Sequence, residues 1–180
     1  MVETAEEQTL VRASQGGDAA AFESLVRHYQ KMIHSVTFRM SGSWAEAQDL
    51  AQETFIAAYR QLRNFRGDAQ FSSWLYRIAV NQCINAGKRT KRQARLGDEW
   101  KSRLVENVED TETSQRVQEA LQQLNPKQRA AVVLTTYEGH NHRAAAKIMG
   151  CSETTVSWYL FTARTKLKSL LRDLQRRDNE

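Results

Sequence analysis

Apolar residues in this chain recur three and four positions apart over long stretches, and little interrupts them: the 180 residues include eight glycines and a single proline, Pro126. That spacing lines one side of a helix and does not fit the alternation of a strand. The expected fold class is therefore all-α. Asp18 caps a helix to about Met40 in which Phe22, Leu25, Val26, Tyr29, Ile33, Val36 and Met40 form one stripe, behind a short helix over 6–15 that Gly16 and Gly17 end. Ser43 and Glu46 read as a capping box that opens a third helix with Ala47, Leu50, Ala51, Thr54, Phe55, Ala58 and Leu62 on its apolar side. After a turn over 64–68, Ser72 or Ser73 is expected to cap a fourth helix running to about Arg92.

Sustained apolar period is then lost until about Thr113, and charge is sorted by segment: Phe71 to Gly97 holds basic residues and no acidic one, whereas 98–112 is rich in acid. This predicts two small helical domains, residues 1–92 and 114–180, joined by a charged linker over 93–113. In the second domain a short helix carries Val117, Ala120, Leu121 and Leu124. Asn125 and Pro126 start a helix to about Glu138, ended by Gly139. A helix over 141–149, a turn at Gly150-Cys151 and a long helix from the cap Ser152 to about Arg172 complete the chain.

Lys and Arg outnumber Asp and Glu by 26 to 21, a formal charge of +5 that suits a polyanionic partner such as nucleic acid. The two cysteines, Cys83 and Cys151, have no disulfide or zinc spacing, which fits a reducing, cytoplasmic setting. The first residues do not read as a leader and no stretch has the length of a membrane span, so membrane insertion is not expected. Catalytic residues have no anchor: there is no nucleophile, base and acid set and no phosphate-cradling glycine loop. His140 and His142 with Cys151 make too sparse a ligand set for zinc. No metal, cofactor or small-molecule substrate is expected, and the chain reads as a non-enzyme.

Two constellations carry function. A helix-turn-helix needs a small residue at the helix crossing, a turning glycine and an apolar inner side, and Ala146, Gly150, Val156 and Leu160 supply them in order. Such a unit presents Glu153, Thr154, Ser157, Trp158 and Phe161 outward, to a major groove or, in a plain helical hairpin, to solvent. In the fourth helix Arg77, Asn81, Asn85, Lys88 and Arg92 share one side, where cations neutralise phosphates and amides bond base edges. Phe71, Trp74 and Tyr76 either stack on unpaired bases or, for Phe71 and Trp74, fill the core.

These segments resemble the sigma factors of bacterial RNA polymerase, specifically the extracytoplasmic-function group. Residues 49–55 (Asp-Leu-Ala-Gln-Glu-Thr-Phe), Tyr59-Arg60 and Phe65-Arg66-Gly67 look like that family's polymerase-binding helix and the loop after it. Residues 71–81 match its promoter-melting helix, and 121–129 with 149–156 look like its distal DNA-binding domain. The resemblance covers about 6–92 and 114–171. It implies a region 2 helical bundle and a region 4 helix-turn-helix. Core RNA polymerase and promoter DNA, duplex and opened, become the expected partners, with an anti-sigma factor as regulator.

By position, the resemblance puts Asp49, Gln52, Glu53, Phe55, Tyr59 and Arg60 against the clamp of the polymerase's largest subunit. Arg66, Asp68, Phe71, Ser72, Tyr76, Arg77, Asn81, Asn85, Lys88, Arg89 and Arg92 fall to the minus-ten element, where a base is flipped at a cost of a few kcal/mol. Arg143, Ser152, Glu153, Thr154, Thr155, Ser157, Trp158, Phe161, Arg164 and Lys168 fall to the minus-thirty-five element. The family's basic run after Thr-Val is replaced here by residues 157–162, Ser-Trp-Tyr-Leu-Phe-Thr. That departure keeps a second reading open, a sigma-like decoy or anti-sigma-binding protein that does not read promoters.

Overall fold

The computed structural model describes residues 5–95 and 112–177. Four helices form the front half: α1 Ala5–Gln15, α2 Ala19–Ser41, α3 Trp44–Gln61 and, after a 3-10 turn Leu62–Asn64, α4 Phe71–Arg95. The rear half holds α5 Glu112–Gln122, α6 Pro126–Val132, a π turn Val133–Tyr137, α7 His142–Met149 and α8 Glu153–Arg177. The linker expected over 93–113 lies outside the described residues from 96 to 111.

Local chemistry sets most helix ends. Asp18 accepts from the amides of Ala20 and Ala21, and Ser43 from Glu46 at 3.4 Å. Asn125 and Gln128 form a reciprocal capping box with Pro126 in the first turn. Gly42 and Gly150 end α2 and α7 in the left-handed conformation, at φ 80° and 64°.

Three helices depart from the expected ends, α8 by running on to Arg177 instead of about Arg172. Neither Ser72 nor Ser73 caps α4, which starts at Phe71, two residues before a Ser72 cap would allow: Phe71 is 1 % exposed among Tyr29, Phe65 and Trp74, and that burial draws the first turn inward. The helix expected to reach Glu138 is α-helical only to Val132. From Val133 it widens, with Glu138 N–H donating to Val133 O at 3.1 Å. The β-branched run Val132, Val133, Thr135 and Thr136 favours that looser winding.

The halves do not keep separate cores. One cluster belongs to the front half alone and includes Leu25, Tyr29, Ile33, Ala58, Leu62, Phe71 and Leu75. The second joins Val36, Met40, Leu50, Val80 and Cys83 of the front half to Leu121, Leu124, Leu134, Ile148 and Val156 of the rear half. Arg129 pins this junction, donating to Leu121 O at 2.9 Å and Gln122 O at 2.8 Å in the rear half and to Met40 O in the front half. Burial lowers its pKa to about 10, so the guanidinium stays charged at neutral pH.

Candidate nucleic-acid and partner interfaces

Helix α3 has three faces. Ala47, Leu50, Ala51, Thr54 and Ala58 are buried, while Gln48, Gln52, Phe55, Ile56, Tyr59 and Arg60 line a groove of about 1500 Å³. Asp49 and Glu53 are exposed on the third face, where Glu53 lies 4.0 Å from Arg89. The six residues assigned to the polymerase are thus divided: Gln52, Phe55, Tyr59 and Arg60 share the groove and the two acids flank it. Sequence reasoning missed the groove's opposite side, made by Phe22, Val26, Phe38 and Trp44 of the front half and Val117, Gln118 and Tyr137 of the rear half. Its only signal was the size of Trp44 and Tyr137, apolar side chains left 46 % and 39 % exposed.

On α4, Arg77, Asn81, Asn85, Lys88 and Arg89 are exposed, and Arg92 follows at helical spacing, of which only the place on the backbone is described. Arg66 and Asp68 stand on the exposed loop before it, where Gly67 takes φ 75°. Two assignments, Phe71 and Ser72, need correction, and Tyr76 is covered by the rear half in this arrangement. Phe71, Ser72 and Tyr76 are 1 %, 8 % and 5 % exposed, so in this arrangement none presents a surface to an unpaired base. Phe71 is core, and Ser72 is buried in the same first turn. Tyr76 faces the rear half, donating to Glu138 Oε2 at 2.7 Å with its ring edge-on to His140 at 4.8 Å. Burial and the Glu138 carboxylate both push the Tyr76 hydroxyl above its usual range.

The rear half has the expected helix-turn-helix. Ala146 is buried at the crossing of α7 and α8, Val156, Leu160 and Ala163 are buried beneath α8, and Gly150 turns between the helices. Asn141 caps α7 by accepting from Ala144, and Ser152 Oγ accepts from Thr155 N–H at 3.1 Å. Glu153, Thr154, Ser157, Trp158, Phe161, Arg164 and Lys168 are exposed, and Thr155 is half-buried. Arg143 reaches Glu153 at 3.9 Å, and His142 Nδ1 lies 3.0 Å from Ser157 Oγ. His140 and His142 therefore engage different partners. Burial raises the Cys83 thiol to about 12 and raises Cys151 as well, so neither is a ready thiolate.

The two halves also meet polar to polar. Arg77 donates to the Lys147 carbonyl in the last turn of α7, where a cation is favoured. Gln118 Nε2 bonds Phe38 O at 3.1 Å, and the Arg39 guanidinium lies 4.6 Å from the Tyr137 ring centre. The polar stripe of α4 is thereby tied to the rear half at Arg77, and Asn81, Asn85 and Lys88 stand exposed beyond it.

Comparison with known proteins agrees with this architecture. Residues 25–93 match the family model "Sigma-70 region 2" and residues 114–167 match "Sigma-70, region 4". The chain is 35 % identical to the RNA polymerase sigma-H factor of Pseudomonas aeruginosa, covering 98 % of this chain and 99 % of that one. It is 34 % identical to the ECF RNA polymerase sigma factor SigM of Mycobacterium tuberculosis, over 90 % and 83 % of the two chains. Among solved structures, CnrH in complex with the cytosolic domain of CnrY superposes with a TM-score of 0.71 at 27 % identity, over 93 % of this chain and 98 % of that one. The sigma factor RpoE of Bartonella quintana, bound to the anti-sigma factor NepR, has the same fold, with a TM-score of 0.72 at 24 % identity over 84 % and 96 %. With both sigma-70 regions in order on one all-helical chain, the protein belongs to the extracytoplasmic-function sigma factors.

Proposed function

We propose a division of labour for this sigma factor, which binds core RNA polymerase and directs promoter recognition and opening for transcription initiation. The front domain, residues 1–92, meets the polymerase clamp through Gln52, Phe55, Tyr59 and Arg60 in the groove, with Asp49 and Glu53 beside it. Its α4 stripe, from Arg77 through Asn81, Asn85 and Lys88 to Arg92, holds the opened minus-ten strand, with Arg66, Asp68 and Arg89 at its margins. The rear domain, residues 114–180, reads the minus-thirty-five duplex with α8 and places Arg143, Arg164 and Lys168 near phosphates. Residues 93–113 connect the two. An anti-sigma factor, the kind of partner seen on the Bartonella relative, competes with the polymerase for the groove, where Phe22, Phe38, Trp44 and Ile56 suit the apolar side of an amphipathic helix. No step requires a catalytic residue or cofactor, and the chain works in the cytoplasm as a non-enzymatic subunit; no helix among the described residues is long and apolar enough to cross a membrane.

The observation that carries this reading is the exposed Asn81, Asn85 and Lys88 stripe on a helix whose opposite side is core. In transcription with purified core polymerase, Asn81→Ala with Asn85→Ala is expected to lower open-complex formation about tenfold while core binding stays near normal. Core binding without initiation on any of a library of genomic fragments would sink the reading in favour of a decoy.

A further inference from the structure

Six large apolar side chains are well exposed among the described residues: Trp44, Ile56, Tyr59, Tyr137, Trp158 and Phe161. The first four line the groove. Trp158 and Phe161 stand apart from it on α8, 57 % and 71 % exposed and three residues apart on the face that carries Thr154 and Ser157. The Trp158 ring is braced on Tyr159, centres 5.3 Å apart, and Thr162 bonds its carbonyl at 2.9 Å. A helix-turn-helix sets the first turns of this helix against base edges.

The chemistry of those turns is restrictive. Residues 152–163 contain no Arg or Lys to grip guanine and no Asn or Gln to grip adenine. Their single charge, Glu153, is a carboxylate 3.9 Å from Arg143, which suits a cytosine amino group and grips neither guanine nor thymine. What remains for base reading is hydroxyl groups, which discriminate weakly, and the two aromatic faces. The major-groove feature that an apolar face recognises is the thymine C5-methyl group.

We infer that the rear module reads its duplex by packing Trp158, with Phe161 beside it, on thymine methyl groups, in place of guanine-directed cations. The inference rests on the sigma reading and specifies the chemistry of its upstream contact. Phosphate attraction then comes from outside these turns, from Arg143 and Lys147 of α7 and from Arg164, Lys166 and Lys168, all exposed.

Thymidine-to-deoxyuridine replacement removes the methyl and leaves the pairing and hydrogen-bonding groups unchanged. A promoter found by transcribing genomic fragments with the reconstituted holoenzyme, its upstream element located by footprinting, is resynthesised with deoxyuridine in that element only. Initiation by the wild-type holoenzyme is expected to drop about tenfold on the substituted template. Trp158→Ala, an exposed change that leaves the core intact, is expected to initiate weakly and almost equally on both templates, while Trp158→Phe keeps part of the difference. Equal, strong initiation by wild type on both templates overturns methyl reading and leaves the sigma assignment standing. Full discrimination retained by Trp158→Ala removes Trp158 as the reader. A holoenzyme that transcribes no fragment overturns both claims together.

Discussion

His140 holds its imidazole edge-on to Tyr76 at the junction of the halves, and its Nε2 is buried without a hydrogen-bond partner among the described residues. His34, beside Trp44 in the groove, has a buried Nε2 of the same kind. Burial lowers both pKa values, although Glu138 pulls His140 the other way. The unfolded chain therefore takes up protons from about pH 6.5 downward before the folded chain does, so the neutral rings contribute stability above that pH and lose it as pH falls. Urea unfolding is expected to show a shallower decline between pH 7.5 and 5.5 for His34→Gln with His140→Gln than for wild type. An unchanged slope would assign the decline to carboxylates alone. Neither histidine could be read this way from sequence, where His140 stood only as a weak metal candidate. Tyr76 shows the same limit: the Glu138 and His140 contacts that cover it come from the other half of the chain, and no local pattern marks them.

Helices were the most legible feature, because their ends are written in local chemistry. Asp18, Ser43, Asn125, Asn141 and Ser152 all cap where their side chains allow. The failures were of two kinds: the burial of Phe71, a tertiary effect that moved the start of α4, and the π turn at 133–137, where a β-branched run loosens the winding. Gly42 carries both kinds of information. At φ 80° it suits glycine, and a Cβ there would fall 2.7 Å from Gln122 Cδ, on a side chain that bonds the Arg39 carbonyl. Gly42→Ala is expected to cost about 1–2 kcal/mol, from the left-handed backbone and the displaced glutamine. Chemical denaturation measures it, and Gln122→Ala in the same chain should recover the steric part alone. A cost near zero would mean that α2 can end without its left-handed turn.

At the scale of the whole molecule, the sequence showed two helical domains and most of the residues they expose, but not how the domains lie together. That arrangement depends on contacts such as Tyr76 with Glu138 and Arg129 with Met40, separated by 62 and 89 positions in the chain, which no local pattern encodes. The proposed function has Arg77 of the front half hold the opened strand, and its bond to the Lys147 carbonyl of α7 has to break for that, so the halves are expected to part when DNA binds. Dyes at Arg63→Cys and Thr165→Cys, both exposed positions, should transfer energy efficiently in the free chain and less once core polymerase and promoter DNA are added. Unchanged transfer would mean that the closed form itself engages DNA. Opening has a further consequence for the lifetime of the protein in the cell. The junction is built from Met40, Val80, Cys83, Leu121 and Leu124, each no more than 6 % exposed. A chain that opens without polymerase wets these side chains and loses the stability that their burial supplies, which shortens its survival against proteolysis.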